Sequence, residues 1–288
     1  MEAELWKQVY KLVTKIAKGK TIKRATYTDS DIVLTYMWAV INDRPVYWAC
    51  KKRSWPIYYR RRQLPNPSTM TRRLRTLQIQ RLLRKTEHYL VNLFPRSVCR
   101  WIDGKPLPIG GCSKDEQSAF GFGASCVCRG YKLYAVGDKN QGFVQWTVRP
   151  MNQGETKIAR ELIMKLDGNG YLIGDGAYDK NHLYSLAGKK HVQLVTPQRI
   201  RNAKGLGHRR HSRHRLRAMD LIKRPFGQSL ISGRTSIERM FGNLVTFGGG
   251  LKPLPHWVRT LFRVEMWVRA KMILYHLWRM RNEQVKFA

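Results

Sequence analysis

"YLIGDGAYDK", residues 171–180, is the stretch on which the reading of this chain turns. Tyr171-Leu172-Ile173 is an apolar run of strand length, and it stops at Gly174-Asp175-Gly176. A carboxylate at the end of a buried strand either closes a turn or holds something. Working outward, "DKNHLYSLAGKK" reads as a short helix and "HVQLVTPQR" as a strand. Upstream, "QGETKIARELIMKLDGNG" is a helix with Ile158, Leu162, Ile163 and Leu166 on one side. Before it stand "GFVQWTVRPMN", a strand, and "GASCVCRGYKLYAVGDKN", two alternating runs with a turn at Arg129-Gly130. "SVCRWIDGKPLPIGG" is the first strand and ends at Asp103-Gly104. Strands in series, then strands alternating with helices, predict an α/β fold with a five-stranded mixed sheet flanked by helices. A long basic loop follows, then helices from Gly233 to Phe247 and from His256 to about Arg281.

Residues 1–95 have a different texture, helical and basic, which predicts a DNA-binding domain ahead of a second domain over 96–288. The N-terminus is amphipathic. "TDSDIVLTYMWAVINDRP" is a helix capped by Thr28 or Asp29. After a Pro-rich turn, Ser68 or Thr69 caps a basic helix. Leu74, Leu77, Leu82 and Leu83 form its apolar side, and Arg72, Arg73, Arg75, Arg81 and Arg84 its cationic side. A short turn followed by a basic helix suits helix-turn-helix docking on DNA.

The chain carries 54 Lys+Arg against 19 Asp+Glu, a formal net charge of +35. A compact body of that charge repels itself unless a polyanion neutralises it, and nucleic acid is the first candidate. No apolar run approaches the roughly 18–20 residues of a membrane span. No secretory leader is expected, since Lys and Gln interrupt the first segment. Five cysteines without C-x2-C spacing predict free thiols in a reducing, intracellular setting. "RIRNAKGLGHRRHSRHRLR" spaces His208, His211 and His214 regularly, but Arg209, Arg210 and Arg213 between them would repel a metal, so phosphate contact is expected.

Against this background three acids stand out. Asp103 and Asp175 end two strands, and Glu238 lies in the helix "GRTSIERMFGNL". If the two strands are neighbours, both Asp residues leave the same sheet edge, and a following helix can bring Glu238 beside them. Three converging carboxylates repel one another unless a cation joins them. Oxygen-only ligation suits Mg2+ or Mn2+ rather than Zn2+. Two such ions about 3.5–4 Å apart would clamp an in-line displacement at phosphorus. Asp179 is expected to cap the next helix, and Asp115 and Glu116 to be solvated. Arg234, one helical turn before Glu238, would keep it ionised and position a phosphate.

On these residues the chain resembles the DDE transposases of bacterial insertion sequences. "WIDGKPL" is similar to the family's first-Asp motif, "GDGAYDK" to its second and "RTSIERMFGNL" to its Glu motif. The resemblance implies an RNase H-like core with Asp103, Asp175 and Glu238 as metal-holding catalytic residues. It implies Mg2+ or Mn2+ as cofactor, with two ions. Cleavage would occur at transposon ends in double-stranded DNA, followed by attack of the freed 3′-OH on target DNA. A homodimer on DNA in the bacterial cytoplasm, at the nucleoid, is expected. Many relatives carry a Tyr and a Lys where this chain has Ile231 and Val245. Lys252 is a candidate for that lysine's phosphate contact. A non-catalytic DNA-binding derivative and a different two-metal nuclease are the alternatives; the intact acids oppose the first and the basic helical N-terminus the second.

Overall fold

The computed structural model describes residues 2–17, 26–60, 63–110, 113–123, 126–198, 211–247 and 249–283. In chain order they form helices α1 (Glu2–Ala17), α2 (Asp29–Ile41), α3 (Val46–Ala49), α4 (Pro67–Leu74) and α5 (Leu77–Val91). Strands β1 (Cys99–Pro108), β2 (Ala119–Phe122), β3 (Val127–Asp138) and β4 (Gly142–Pro150) follow. Then come α6 (Glu155–Met164), β5 (Gly170–Ile173), α7 (Asn181–Lys189) and β6 (Val192–Val195). The chain closes with α8 (Arg213–Ile222), α9 (Pro225–Ser232), α10 (Thr235–Thr246) and α11 (Leu261–Asn282). Two compact units result: Met1–Leu93 with Asn243–Ala288, and Phe94–Gly242. The last helix therefore falls in the same compact unit as the N-terminal helices.

In the helical unit α2 is central. Every residue from Ile32 to Ile41 is buried, as an all-round apolar helix requires. Thr28 caps it through a capping box: its Oγ1 accepts from Asp31 N at 3.2 Å, and Asp31 Oδ2 accepts from Thr28 N at 2.9 Å. α11 is anchored by the fully buried Lys271, whose Nζ donates to Val40 O, Asp43 Oδ1 and Gly249 O at 3.0, 2.6 and 2.7 Å. Arg269 forms an ion pair with Glu87 on α5. The basic helix expected after the Pro-rich turn is two helices. Asn66, not Ser68 or Thr69, caps α4, its Oδ1 accepting from Thr69 N at 2.8 Å, with Pro67 preset in the first turn. The chain breaks at Arg75-Thr76 before α5, which leaves Leu77 exposed.

The sheet of the second unit runs β2-β3-β1-β5-β6, with β4 also paired to β3. β3 is antiparallel to β1, β2 and β4, while β5 is parallel to both β1 and β6. It has six strands where five are expected, β2 being the addition. No turn occurs at Arg129-Gly130, because β3 runs straight through both. Gly130 answers a different need: a Cβ there would lie 2.4 Å from Leu107 O on the paired strand. The turn comes after Asp138, whose Oδ1 accepts from Asn140 N and Gln141 N at 2.8 and 3.0 Å.

Ile102, Tyr134, Val136, Leu172 and Leu194 pack under α6 and α7 as the main core. The other face carries Gly137, where a Cβ would meet Met240 and Ile237 of α10 at 2.7 and 2.9 Å. Of the expected basic loop, residues 199–210, including His208, Arg209 and Arg210, lie outside the described residues. From Arg213 the chain is helical, and Arg215 holds α8 in place by two 2.8 Å bonds to Asp179. Asp179 is thus a buried ion-pair partner and not a helix cap. Asp115, expected in solvent, is buried and accepts from Tyr131 Oη at 2.7 Å and from Gln117 N at 3.1 Å. Glu116 is exposed. A mixed sheet with helices on its faces is consistent with an RNase H-like core. Among the described residues no helix is long and apolar enough to cross a membrane.

Candidate carboxylate site

The parallel pairing of β1 with β5 sets Cys99 against Tyr171, Arg100 against Leu172 and Trp101 against Ile173. Continued by two residues, the same register puts Asp103 level with Asp175. β5 has ended by then, but β1 has not. It continues to Pro108 because its far edge stays paired with β3 as far as Gly130. Asp103 is therefore mid-strand, not at a strand end as the sequence suggests, and lies where β1 has lost its β5 neighbour.

Each carboxylate is fixed by a backbone donor. Asp103 Oδ1 accepts from Gly104 N at 2.7 Å. Asp175 Oδ1 accepts from Ala177 N at 2.8 Å and caps a single 3-10 turn, Gly176–Tyr178. Asp175 thus closes a turn, and its charge is felt at Asp103. Burial pushes the Asp103 carboxyl up to about 6; the Gly104 N–H opposes this, the charge of Asp175 adds to it, Lys132 opposes and Glu155 adds. Burial first, then like charge, makes Asp103 reluctant to ionise without a cation beside it.

Three neighbours complete the polar environment. Glu155, at the start of α6, forms an ion pair with Lys132 of β3. The Lys132 stem crosses the strand at Gly104, where a Cβ would stand 2.5 Å from its Cε, so a side chain at 104 would displace the lysine. Tyr178 is the third. Its hydroxyl is buried with no hydrogen-bond partner among the described residues. Its phenol is held well above the usual range by burial and then by Glu155, Asp103 and Asp175. Tyr178 lies within the opening stretch, yet nothing in its spacing marks it. Lys132 comes near the site from β3 and Glu155 from the start of α6, a tertiary placement that single-sequence patterns do not reveal.

Glu238 lies in the first turn of α10. Ile237 and Phe241 are buried as expected, Phe241 against Phe143 at 5.3 Å between ring centroids. Gly137 pairs with Trp101 and Ala135 with Asp103, and alternation puts all four on one face. α10 covers that face at Gly137, so Glu238's helix and Asp103 share a side of the sheet. Glu238 itself is exposed, with Arg234 at 3.9 Å. The structure brings Asp103 and Asp175 together. Among the described residues, no group of three or more His, Cys, Asp and Glu stands at metal-ligating spacing. The donors nonetheless suit a hard divalent cation: two apposed carboxylates in a partly buried setting, with an orphaned buried hydroxyl alongside.

Of the expected phosphate-binding residues, Arg72 and Arg75 are exposed on and just after α4. Arg73 is committed elsewhere. It binds Asp29 Oδ1 at 2.6 Å and Tyr27 O at 3.2 Å, tying α4 to the start of α2. Arg213 is exposed at the start of α8, and Lys252 is exposed 3.8 Å from Asp43. His211 meets Arg215 at 2.8 Å.

A family model described as the transposase DDE domain matches residues 95–273. No curated protein and no solved structure shows a significant match.

Proposed function

The chain belongs to the transposase DDE domain family, and from that premise we propose that it cleaves double-stranded DNA at transposon ends and joins the freed 3′-OH to target DNA. Asp103, Asp175 and Glu238 are the proposed catalytic carboxylates, holding Mg2+ or Mn2+, with two ions per site. Bound there, the ions would polarise the scissile phosphate and lower the pKa of the attacking water or hydroxyl. The observation that carries this reading is that the parallel pairing of β1 with β5 leads Asp103 and Asp175 into electrostatic reach of each other, with Asp103 pushed up to about 6.

The chain's own residues do the positioning. Backbone N–H groups fix Oδ1 of each Asp and leave Oδ2 of each to ligate. Arg234 stands 3.9 Å from Glu238, where it can reach a phosphate. Lys132, paired with Glu155, supplies fixed positive charge beside Asp103. The exposed arginines of the helical unit, with Arg209, Arg210, Arg213 and Lys252, are proposed to track the DNA backbone. The protein would act as a homodimer on DNA at the bacterial nucleoid. The test uses full-length protein and DNA carrying the element's own ends. Asp103→Ala or Asp175→Ala should abolish Mg2+-dependent cleavage while DNA affinity stays within about threefold of wild type. Cleavage retained by either variant would remove that residue from the site.

A further inference from the structure

The strongest unexplained surface lies in the helical unit, between α3 and α4. Ile57 is 79 % exposed and Tyr58 95 % exposed, side by side in a single 3-10 turn, Ile57–Tyr59. A lone exposed apolar side chain is ordinary. Two large ones at the tip of a rigid projection are not, and the residues on each side hold this one rigid. Before the tip, Trp55 is buried, and its Nε1 donates to Ala49 O at 2.7 Å. Its ring stacks on Trp38 at 4.8 Å and meets Trp6 edge-on at 5.2 Å. Trp38 in turn donates from Nε1 to Ser54 O at 3.0 Å. After the tip, Tyr59 packs back on the same Trp38 at 6.5 Å. Both ends of the turn are thus pinned to one aromatic cluster, while Ile57 and Tyr58 point away from it.

The flanks are cationic. Lys51, Lys52 and Arg53 precede the tip and Arg60 follows it, all exposed. Lys51 Nζ also lies 5.2 Å from the exposed Tyr47 ring. We infer that Ile57 and Tyr58 form a wedge that enters the base stack of duplex DNA, with Lys51, Lys52, Arg53 and Arg60 on the phosphates beside it. This deepens the proposal that the helical unit binds DNA, and it rests on that reading. A branched aliphatic side chain can prise a base step open, and an aromatic ring can stack on the exposed base. The surrounding charge selects DNA over a protein partner. The centres of protein–protein contacts are depleted in charged residues, and two copies each carrying +35 repel. The wedge is distinct from the basic faces of α4 and α5, which carry no comparable apolar pair.

The experiment uses the full-length protein and two short duplexes, one fully paired and one with a central mismatch flanked by 2-aminopurine. A mismatch lowers the cost of unstacking, so a wedge prefers it. Wild type should bind the mismatched duplex roughly tenfold or more tightly, with a rise in 2-aminopurine fluorescence. Ile57→Ser/Tyr58→Ser should lose both the preference and the fluorescence rise. It should bind the paired duplex with an unchanged salt slope, because the cations remain. Lys51→Gln/Lys52→Gln/Arg53→Gln should weaken binding to both duplexes and make the salt slope shallower, by about 0.9 for each phosphate no longer neutralised. All the substitutions are at exposed positions, and thermal melts should match wild type. Binding by the serine variant that keeps the preference and the fluorescence rise overturns the wedge and leaves DNA binding standing. The same is true if the variant changes only self-association in sedimentation, which would make the tip a protein contact. Failure of wild type to bind either duplex overturns the DNA-binding reading and the wedge together.

Discussion

Asp103 carries a cost that a cation would relieve. Unfolded, an Asp titrates near 3.9; folded, this one is pushed up to about 6. Between those values the native protein keeps a proton that the unfolded chain releases, so stability falls as pH rises from about 4 to about 6 and stays low above that. At about 1.36 kcal/mol per pKa unit, the loss is roughly 2–3 kcal/mol at neutral pH. Asp103→Asn should therefore stabilise the metal-free protein by about 2 kcal/mol at pH 7.5, with the advantage shrinking toward pH 4. Added Mn2+ should raise the melting temperature of wild type and not of the variant. Equal melts across pH, with and without Mn2+, would show that Asp103 is not in this environment. Glu238 is tested differently, because it is exposed and its removal should cost little stability. Glu238→Gln keeps its shape and loses its charge. Cleavage and strand joining should both fall by a factor on the order of a hundred or more, with the deficit largest at low Mn2+ or Mg2+. Matching activity over the whole metal range would remove Glu238 from the site. The burial of Ile237 and Phe241 was readable from local pattern. Glu155, Lys132 and Tyr178 were not, because it is the tertiary fold that brings them within electrostatic reach of Asp103, which no local spacing encodes.

Elements that declare themselves by period or cap were legible. α2 announces itself by Thr28 and an apolar body, and β5 by its run into Gly174. What failed did so for identifiable reasons. Arg129-Gly130 looks like a turn because glycine permits one, yet this glycine is there to let Leu107's carbonyl approach. The helix expected to be capped by Ser68 or Thr69 starts two or three residues earlier because Asn66 is an equally good cap, backed by Pro67. α8 was hidden in an arginine-dense stretch that buries only Ala218 and Met219, and Arg215 pairs it with Asp179. Arg215→Met should leave the buried Asp179 without its cation, at a cost of about 3–5 kcal/mol. Adding Asp179→Asn should recover a good part of that. If chemical denaturation of the single variant matches wild type, the pair contributes nothing to holding α8.

On the scale of the molecule, net charge is the most informative feature of the sequence, because +35 on 288 residues demands a counter-charge. Not every base contributes: Arg73, Arg215, Arg269 and Lys271 each bind an acid of their own unit. For those that remain on the surface, DNA affinity should fall with salt at a log–log slope of about −0.9 per phosphate contact. A flat dependence between low and physiological salt would assign the charge to another task. Domain organisation was less legible. Hydrophobic period shows that α11 is buried, but not against which helices.

That packing of α11 has a temporal side. The helical unit is assembled from two stretches of chain, with the whole of Phe94–Gly242 made between them. At about 5–20 residues per second, a ribosome takes on the order of ten to thirty seconds over that interval. Throughout it α2, apolar on all sides, waits without the helix that carries Lys271 to Val40 and Asp43. The sheet unit, continuous in sequence, is free to fold first. The N-terminal helices are made first and finished last, so during synthesis a chain can complete its carboxylate site before it has a finished helical unit.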